Sequence, residues 1–288
     1  MKTESVQIMN SVIDWIQFRL GFRHWGDNIQ FTGEQGLGRV SLIACALSSI
    51  LTFNVMLGFV ILMDKVGFSN LNIFDTESNA FLSHDRLLVL IQWIIYAISL
   101  CTFHLLEFFV TALHNPSVVN ASSFVVNHSR SYTIAMLVSW GELLIRFFFC
   151  PFINSTVLSL FGVMLVLLGQ VTRTLAMITC GQSFNHIIQH SKKNNHVLVQ
   201  NGIYQYLRHP SYFGFYYWSI GTQLVLGNFI SAILFAIASW MFFHRRIPFE
   251  EQTLLKLFPE EYPDYRNKTF IGIPFIKTVN KRDDKKGD

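Results

Sequence analysis

Residues 212–244 read YFGFYYWSIGTQLVLGNFISAILFAIASWMFFH, an apolar run interrupted near its centre by Gly227-Asn228. As one straight helix it would extend about 50 Å, at about 1.5 Å per residue, whereas a hydrocarbon core is only about 30 Å thick. A glycine followed by an asparagine is a natural helix terminator, because the left-handed cap costs glycine nothing. The stretch therefore predicts a helical hairpin that leaves by the face it entered. Arg208 and His209, just before it, are then brought back to the level of Arg246, Glu250 and Glu251, just after it.

The rest of the chain agrees with a membrane setting. With 51% hydrophobic and 14% charged residues over 288 positions, it has too little polar surface to wrap a soluble globule of this size. Residues 39–63, 87–113, 132–150 and 157–179 are each long and apolar enough to span. The fold expected is an all-α, multi-pass integral membrane bundle. Residues 1–38 form an amino-terminal segment, with Ile8, Val12, Trp15, Ile16 and Leu20 on an amphipathic pattern and no signal-peptide features. Residues 39–179 form the bundle, 180–277 a polar loop, the hairpin and a tail, and 278–288 a charged end. Basic residues from Arg245 onward predict a cytosolic carboxyl terminus, and counting back through the hairpin and four spans puts the amino terminus on the same side. The four cysteines lie in or beside apolar runs and read as buried thiols. The sequons at Asn120, Asn127, Asn154 and Asn267 are expected to stay unmodified, and no nucleic-acid partner is expected.

Chemistry concentrates around the hairpin entrance. The loop before it holds Gln189, His190, His196, Tyr204, Arg208 and His209, and Gly202 after Val197-Leu198-Val199 suits a tight turn that exposes backbone amides. Arg173 lies about 9 Å inside the end of its span, where a charge is costly unless paired or in a wet cavity. Two readings stay open: a structural one, as a partner for Glu107 or Glu142 or by snorkelling to the interface, or a forked guanidinium that recognises an anionic substrate. Glu142 and Arg146, four apart on one helix, can satisfy each other and read as structural. His186 and His190 are also four apart, but no third ligand follows, so no metal is expected. Glu260-Glu261-Tyr262 with Tyr265 and Arg266 reads either as a solvated tail helix or as a cap on the site.

The run His196-Val197-Leu198-Val199, then Gly202, Tyr204, Arg208-His209-Pro210, Tyr212 and Gly214, followed by Glu250-Glu251, Leu254, Tyr262 and Tyr265, closely resembles the protein-S-isoprenylcysteine carboxyl methyltransferases. The likeness covers about residues 173–277. It implies an endoplasmic-reticulum enzyme that moves a methyl group from S-adenosylmethionine to the terminal carboxylate of a farnesylated or geranylgeranylated cysteine in processed CaaX proteins. It also implies a cytosolic cofactor pocket of Gln189, His196, Val197, Leu198, Val199, Gly202, Tyr204, His209, Pro210, Ser211, Tyr212 and Glu250. Arg246 falls at a substrate position. Arg173, Arg246 and Glu251 are the candidates for the catalytic roles, with Arg173 and Arg246 binding substrate. Animal members of the family have eight membrane helices against six counted here, so six to eight are expected. The closing Lys285-Lys286-Gly287-Asp288 fits a dilysine retrieval signal.

An α-carboxylate, with a reference pKa of about 3.5, is ionised at neutral pH and needs no general base. The work expected of such an enzyme is positioning in a dry pocket, with an opening between helices that admits the prenyl chain from membrane lipid. Three other readings share part of the pattern: an NADPH-dependent sterol reductase, a phospholipid N-methyltransferase, and a non-catalytic multi-pass scaffold.

Overall fold

A computed structural model of the chain describes residues 36–66, 74, 83–126, 130–184 and 197–276. The amphipathic segment at the amino terminus, Gln189, His196, the two spaced histidines and the charged end lie outside the described residues. Seven α-helices are described: α1 (Leu37–Lys65), α2 (His84–His114), α3 (Arg130–Phe149), α4 (Thr156–Cys180), α5 (Pro210–Leu226), α6 (Phe229–Leu257) and α7 (Glu261–Lys268). Each of the four expected spans falls on one of α1 to α4, and the hairpin is α5 and α6. By length and composition four helices can cross a membrane: α1, α2, α4 and α6. The protein is an all-α integral membrane bundle.

The hairpin turn is built as its two residues require. Gly227 takes the left-handed conformation, φ 68°, and its N–H and that of Asn228 reach back to carbonyls in the last turn of α5. A Cβ at Gly227 would sit 2.5 Å from Nη1 of Arg146, so this position is closed to other residues twice over. Glu142 and Arg146, expected to satisfy each other, reach apart instead. Glu142 accepts the N–H groups of Ile230 and Ser231, at 3.0 and 2.8 Å, and so caps the start of α6. Arg146 donates to the carbonyl of Leu226 at the end of α5, and to Gln92 and Asn154 at 2.9 and 2.8 Å. The helix dipoles explain the divergence, because an anion gains at a helix start and a cation at a helix end. Both residues remain structural.

The closest helix contact is between α4 and α5. Cβ atoms placed at Gly162 or Gly169 would lie 2.5 Å from the backbone of α5, and at Gly214 or Gly221 2.6 and 2.8 Å from the backbone of α4. Without a hydrophobic driving force between helices in lipid, such small-residue stripes let backbones pack directly. Gly169→Ala should therefore destabilise the fold by about 1–3 kcal/mol through overpacking. The check is the thermal unfolding midpoint in detergent, and an unchanged midpoint would contradict this packing.

Helix α6 does not end with the apolar run. It continues through Pro248, which cannot donate to the carbonyl of His244, and carries Glu250 and Glu251 on the same helix as the hairpin arm. The i, i+4 rule then places Arg246 and Glu250 on one face and Ile247 and Glu251 on the adjacent, inward one. Ile247 and Glu251 are both fully buried. Beyond α7 the chain returns as a strap. The Arg208 N–H donates to the Phe270 carbonyl at 3.0 Å and the Phe270 N–H to the Tyr206 carbonyl at 2.9 Å, Trp240 Nε1 donates to the carbonyl of Pro274 at 2.8 Å, and Ile271 and Ile273 pack on Tyr216, Phe243 and Ile247.

Candidate active site

Two buried arginines fix the start of α5, where the loop enters the hairpin. From behind, Arg173 of α4 makes a two-pronged pair with Glu107 of α2, both N···O distances 2.6 Å, and its Nη1 donates to the Ser211 carbonyl and hydroxyl at 3.2 and 3.0 Å. The rings of Phe103 and Phe215 flank the guanidinium at 5.3 and 5.5 Å. Of the two readings of Arg173, the structure realises the partnership with Glu107, which takes the carboxylate-matching edge of the fork. From the other side, Arg208 donates from Nε to Glu251 at 2.6 Å and from Nη1 to the carbonyl of Thr269 at 2.6 Å. Glu251 also lies 3.3 Å from Nε2 of His209.

From this base a further set of contacts faces the cavity. His209 stacks on Tyr212, ring centroids 5.6 Å apart, and its Nδ1 lies 3.8 Å from Glu250. The Tyr212 hydroxyl donates to Glu250 and accepts from Nε of Arg246 at 2.8 Å, so one phenol joins the carboxylate to the guanidinium. Arg246 lies over the rings of Tyr212 and Phe242. The Tyr204 side chain lies beside Cys180, while its carbonyl accepts from the Tyr265 hydroxyl at 2.9 Å. Burial, together with Cys180 and Glu250 nearby, holds the Tyr204 phenol well above its ordinary pKa. Burial likewise raises Tyr262 and Tyr265, so all three stay neutral at physiological pH.

These groups surround one end of a cavity of about 710 Å³. Val197, Leu198, Val199, Tyr204, His209, Pro210, Ser211, Tyr212, Glu250, Arg246 and Arg173 all line it. Two expected residues stand back from the wall. Gly202 makes the turn, φ 57°, where an added Cβ would lie 3.1 Å from Thr179, and it supports the lining without joining it. Glu251, a candidate for a catalytic role, is sealed behind His209 and Arg208, because its face of α6 is turned inward. Sequence reasoning missed the apolar arm at the cavity's other end, formed by Tyr96, Leu100, Met136, Trp218, Thr222 and Phe235. Tyr96, a tyrosine deep in a mostly aliphatic run, was the available signal. The open question about the tail is answered in part: Tyr265 lines the cavity, and Tyr262 is fully buried beneath it. Among the described residues no cluster of metal-ligating side chains occurs.

Fold and site together define a multi-pass helical membrane protein with a cavity that is charged at one end and apolar at the other. A profile of the isoprenylcysteine carboxyl methyltransferase (ICMT) family matches residues 162–256. The chain is 46% identical over 185 residues to the protein-S-isoprenylcysteine O-methyltransferase of Xenopus laevis, covering 64% of each chain. It is 43% identical over 182 residues to that of Dictyostelium discoideum, covering 63% of this chain and 77% of that one. The solved structure of a eukaryotic intramembrane Ras methyltransferase, ICMT, superposes with a TM-score of 0.67 at 33% identity, over 83% of this chain and 99% of that one. The match thus spans just under two thirds of the Xenopus protein's length. This chain belongs to the isoprenylcysteine carboxyl methyltransferase family.

Proposed function

We propose that the protein transfers a methyl group from S-adenosylmethionine to the α-carboxylate of a prenylated cysteine at the end of a processed CaaX protein. It does so in the endoplasmic-reticulum membrane, with both termini, the loop before the hairpin and the segment after it on the cytosolic side. The observation that carries this reading is the continuity of the cavity. A single space runs from Arg246, Tyr212 and Glu250 into an apolar arm between helices, matching a substrate that is an anion at one end and a hydrocarbon at the other.

The donor set suits the cofactor. Glu250 offers a carboxylate to cationic groups, Tyr204 and His209 offer polar edges, and Val197, Leu198, Leu254 and Phe258 offer an apolar wall to a flat base. Gln189 and His196 complete the holding set in this reading. When bound, S-adenosylmethionine supplies an electrophilic methyl on a positively charged sulfur. The protein's own groups do the positioning. Arg246 orients the substrate carboxylate, and its Nε is fixed by Tyr212, which in turn fixes Glu250. Sharing Arg246 with Tyr212 leaves the carboxylate nucleophilic rather than fully neutralised. Arg173 acts through Ser211, and Glu251 through Arg208 and His209, so both are positioning residues. Apolar walls exclude water, which strengthens attraction between reactants of opposite charge.

The test is an acceptor assay with purified protein and donor labelled on the methyl group. Alkali-labile label should appear in N-acetyl-S-farnesylcysteine and none in phosphatidylethanolamine. Transfer to phosphatidylethanolamine alone would favour a phospholipid methyltransferase. NADPH binding in place of S-adenosylhomocysteine binding would favour a sterol reductase, and neither would leave a scaffold.

A further inference from the structure

We infer that the strap after α7 enters the membrane, and that its tip, Pro274-Phe275, binds phospholipid acyl chains in the leaflet where the hairpin opens. This goes beyond the activity proposed above and does not depend on it. The strap runs down the outer groove between α5 and α6. Tyr217 lies about 10 Å down α5 from Pro210, and Trp240 about 15 Å down α6 from Glu250, at about 1.5 Å per residue. Their polar tips hold the strap at those levels: the Tyr217 hydroxyl donates to the Gly272 carbonyl at 3.1 Å, and Trp240 Nε1 to that of Pro274 at 2.8 Å. Such amphipathic rings sit where hydrocarbon meets headgroup. The stripe that carries Trp240 continues along α6 through Ile237 and Ile233, both exposed on a helix apolar enough to span. Beyond the strap, the groove is therefore lipid-facing surface.

The tip suits a medium without water. Pro274 has no N–H to satisfy, and the carbonyls of Gly272 and Pro274 already have donors. The seat on α5 is close, since a Cβ at Gly272, φ 76°, would lie 2.5 Å from the Phe213 ring. Phe275 turns the other way. Its ring is 90% exposed, and its backbone takes φ 58°, a left-handed conformation that an aromatic residue adopts only at a cost. In water, exposure of the ring would add to that cost, whereas burial among acyl chains offsets it. The inner face of the strap carries Ile271 and Ile273, packed on Phe243 and Ile247. Lipid at the tip thus holds the strap against the helix of Arg246 and Glu250.

Photocrosslinking tests the insertion. The photoreactive residue p-benzoylphenylalanine, close to phenylalanine in shape, is placed singly at Phe275, at Ile237 and at Glu261, which is exposed at the start of α7. Each protein is reconstituted in phosphatidylcholine vesicles, irradiated, stripped of free lipid and measured by intact-mass spectrometry. The expected result at Phe275 is a gain of one phosphatidylcholine mass, as at Ile237, in excess of any gain at Glu261. A gain at Phe275 no greater than at Glu261 overturns the insertion. Crosslinking needs neither methyl donor nor acceptor, so this outcome is read separately from that of the acceptor assay.

Discussion

Glu251→Ala is expected to lower the stability of the fold by about 3–5 kcal/mol, the cost of leaving the other half of a buried ion pair without its partner. Glu251 is fully buried, and the side chain of Arg208 is only 3% exposed. Removing the carboxylate strands the Arg208 guanidinium, which keeps just its bond to the Thr269 carbonyl, and takes away the neighbour of His209 Nε2. The damage spreads because Arg208 ties three segments: the loop before α5, the second hairpin arm and the returning strap. Glu251→Gln should fall between, since it keeps an acceptor but loses the charge. Chemical or thermal unfolding in detergent gives the comparison. Equal stability of Glu251→Ala and the unaltered protein would mean that this pair does not hold the segments together.

Glu107→Ala should cost a similar amount, and here the size of the effect can be dissected. The pair with Arg173 joins α2 to α4 in the interior of the bundle, with the arginine 7% and the glutamate 1% exposed. The guanidinium would keep its bonds to Ser211 but lose both of those to a carboxylate, deep in the bundle where a charge is costly. Replacing both partners by apolar residues of similar volume often restores stability, because neither charge then has to be desolvated. The double variant Glu107→Leu, Arg173→Met should therefore unfold at a higher temperature than Glu107→Ala. It should still lose activity, since Ser211 no longer has Nη1 of Arg173 to hold it. A double variant less stable than the single one would contradict this account of the pair, and full activity in it would contradict the positioning role.

What the sequence made legible were features that act locally. Gly227-Asn228 marked the hairpin, because a glycine terminator inside an overlong apolar run has few other readings. The depth of Arg173 in its span demanded a partner, and Glu107 was one of two candidates. The lining residues from Val197 to Tyr212 are close in the chain and were found together. Three things could not be read. Arg208 and Glu251 are 43 positions apart, and neither carries a local mark of the other. Glu250 and Glu251 are adjacent, so only the helical register decides which faces the cavity, and Pro248 disguised the helix that sets it. The close approach of α4 and α5 depends on glycines seven apart in each of two helices, a spacing that means little until the helices are known to face one another.

The central claim is that Arg246, held by Tyr212 and through it tied to Glu250, orients the acceptor while the remaining cavity wall holds the donor. The measurement that tests it most directly compares Arg246→Ala with the unaltered protein in two quantities: the Kd of S-adenosylhomocysteine, and kcat/KM for N-acetyl-S-farnesylcysteine. The account predicts an unchanged Kd and a kcat/KM lower by about 100-fold, as for loss of a preorganised charge-bearing donor at the reacting group. A kcat/KM equal to that of the unaltered protein would contradict it.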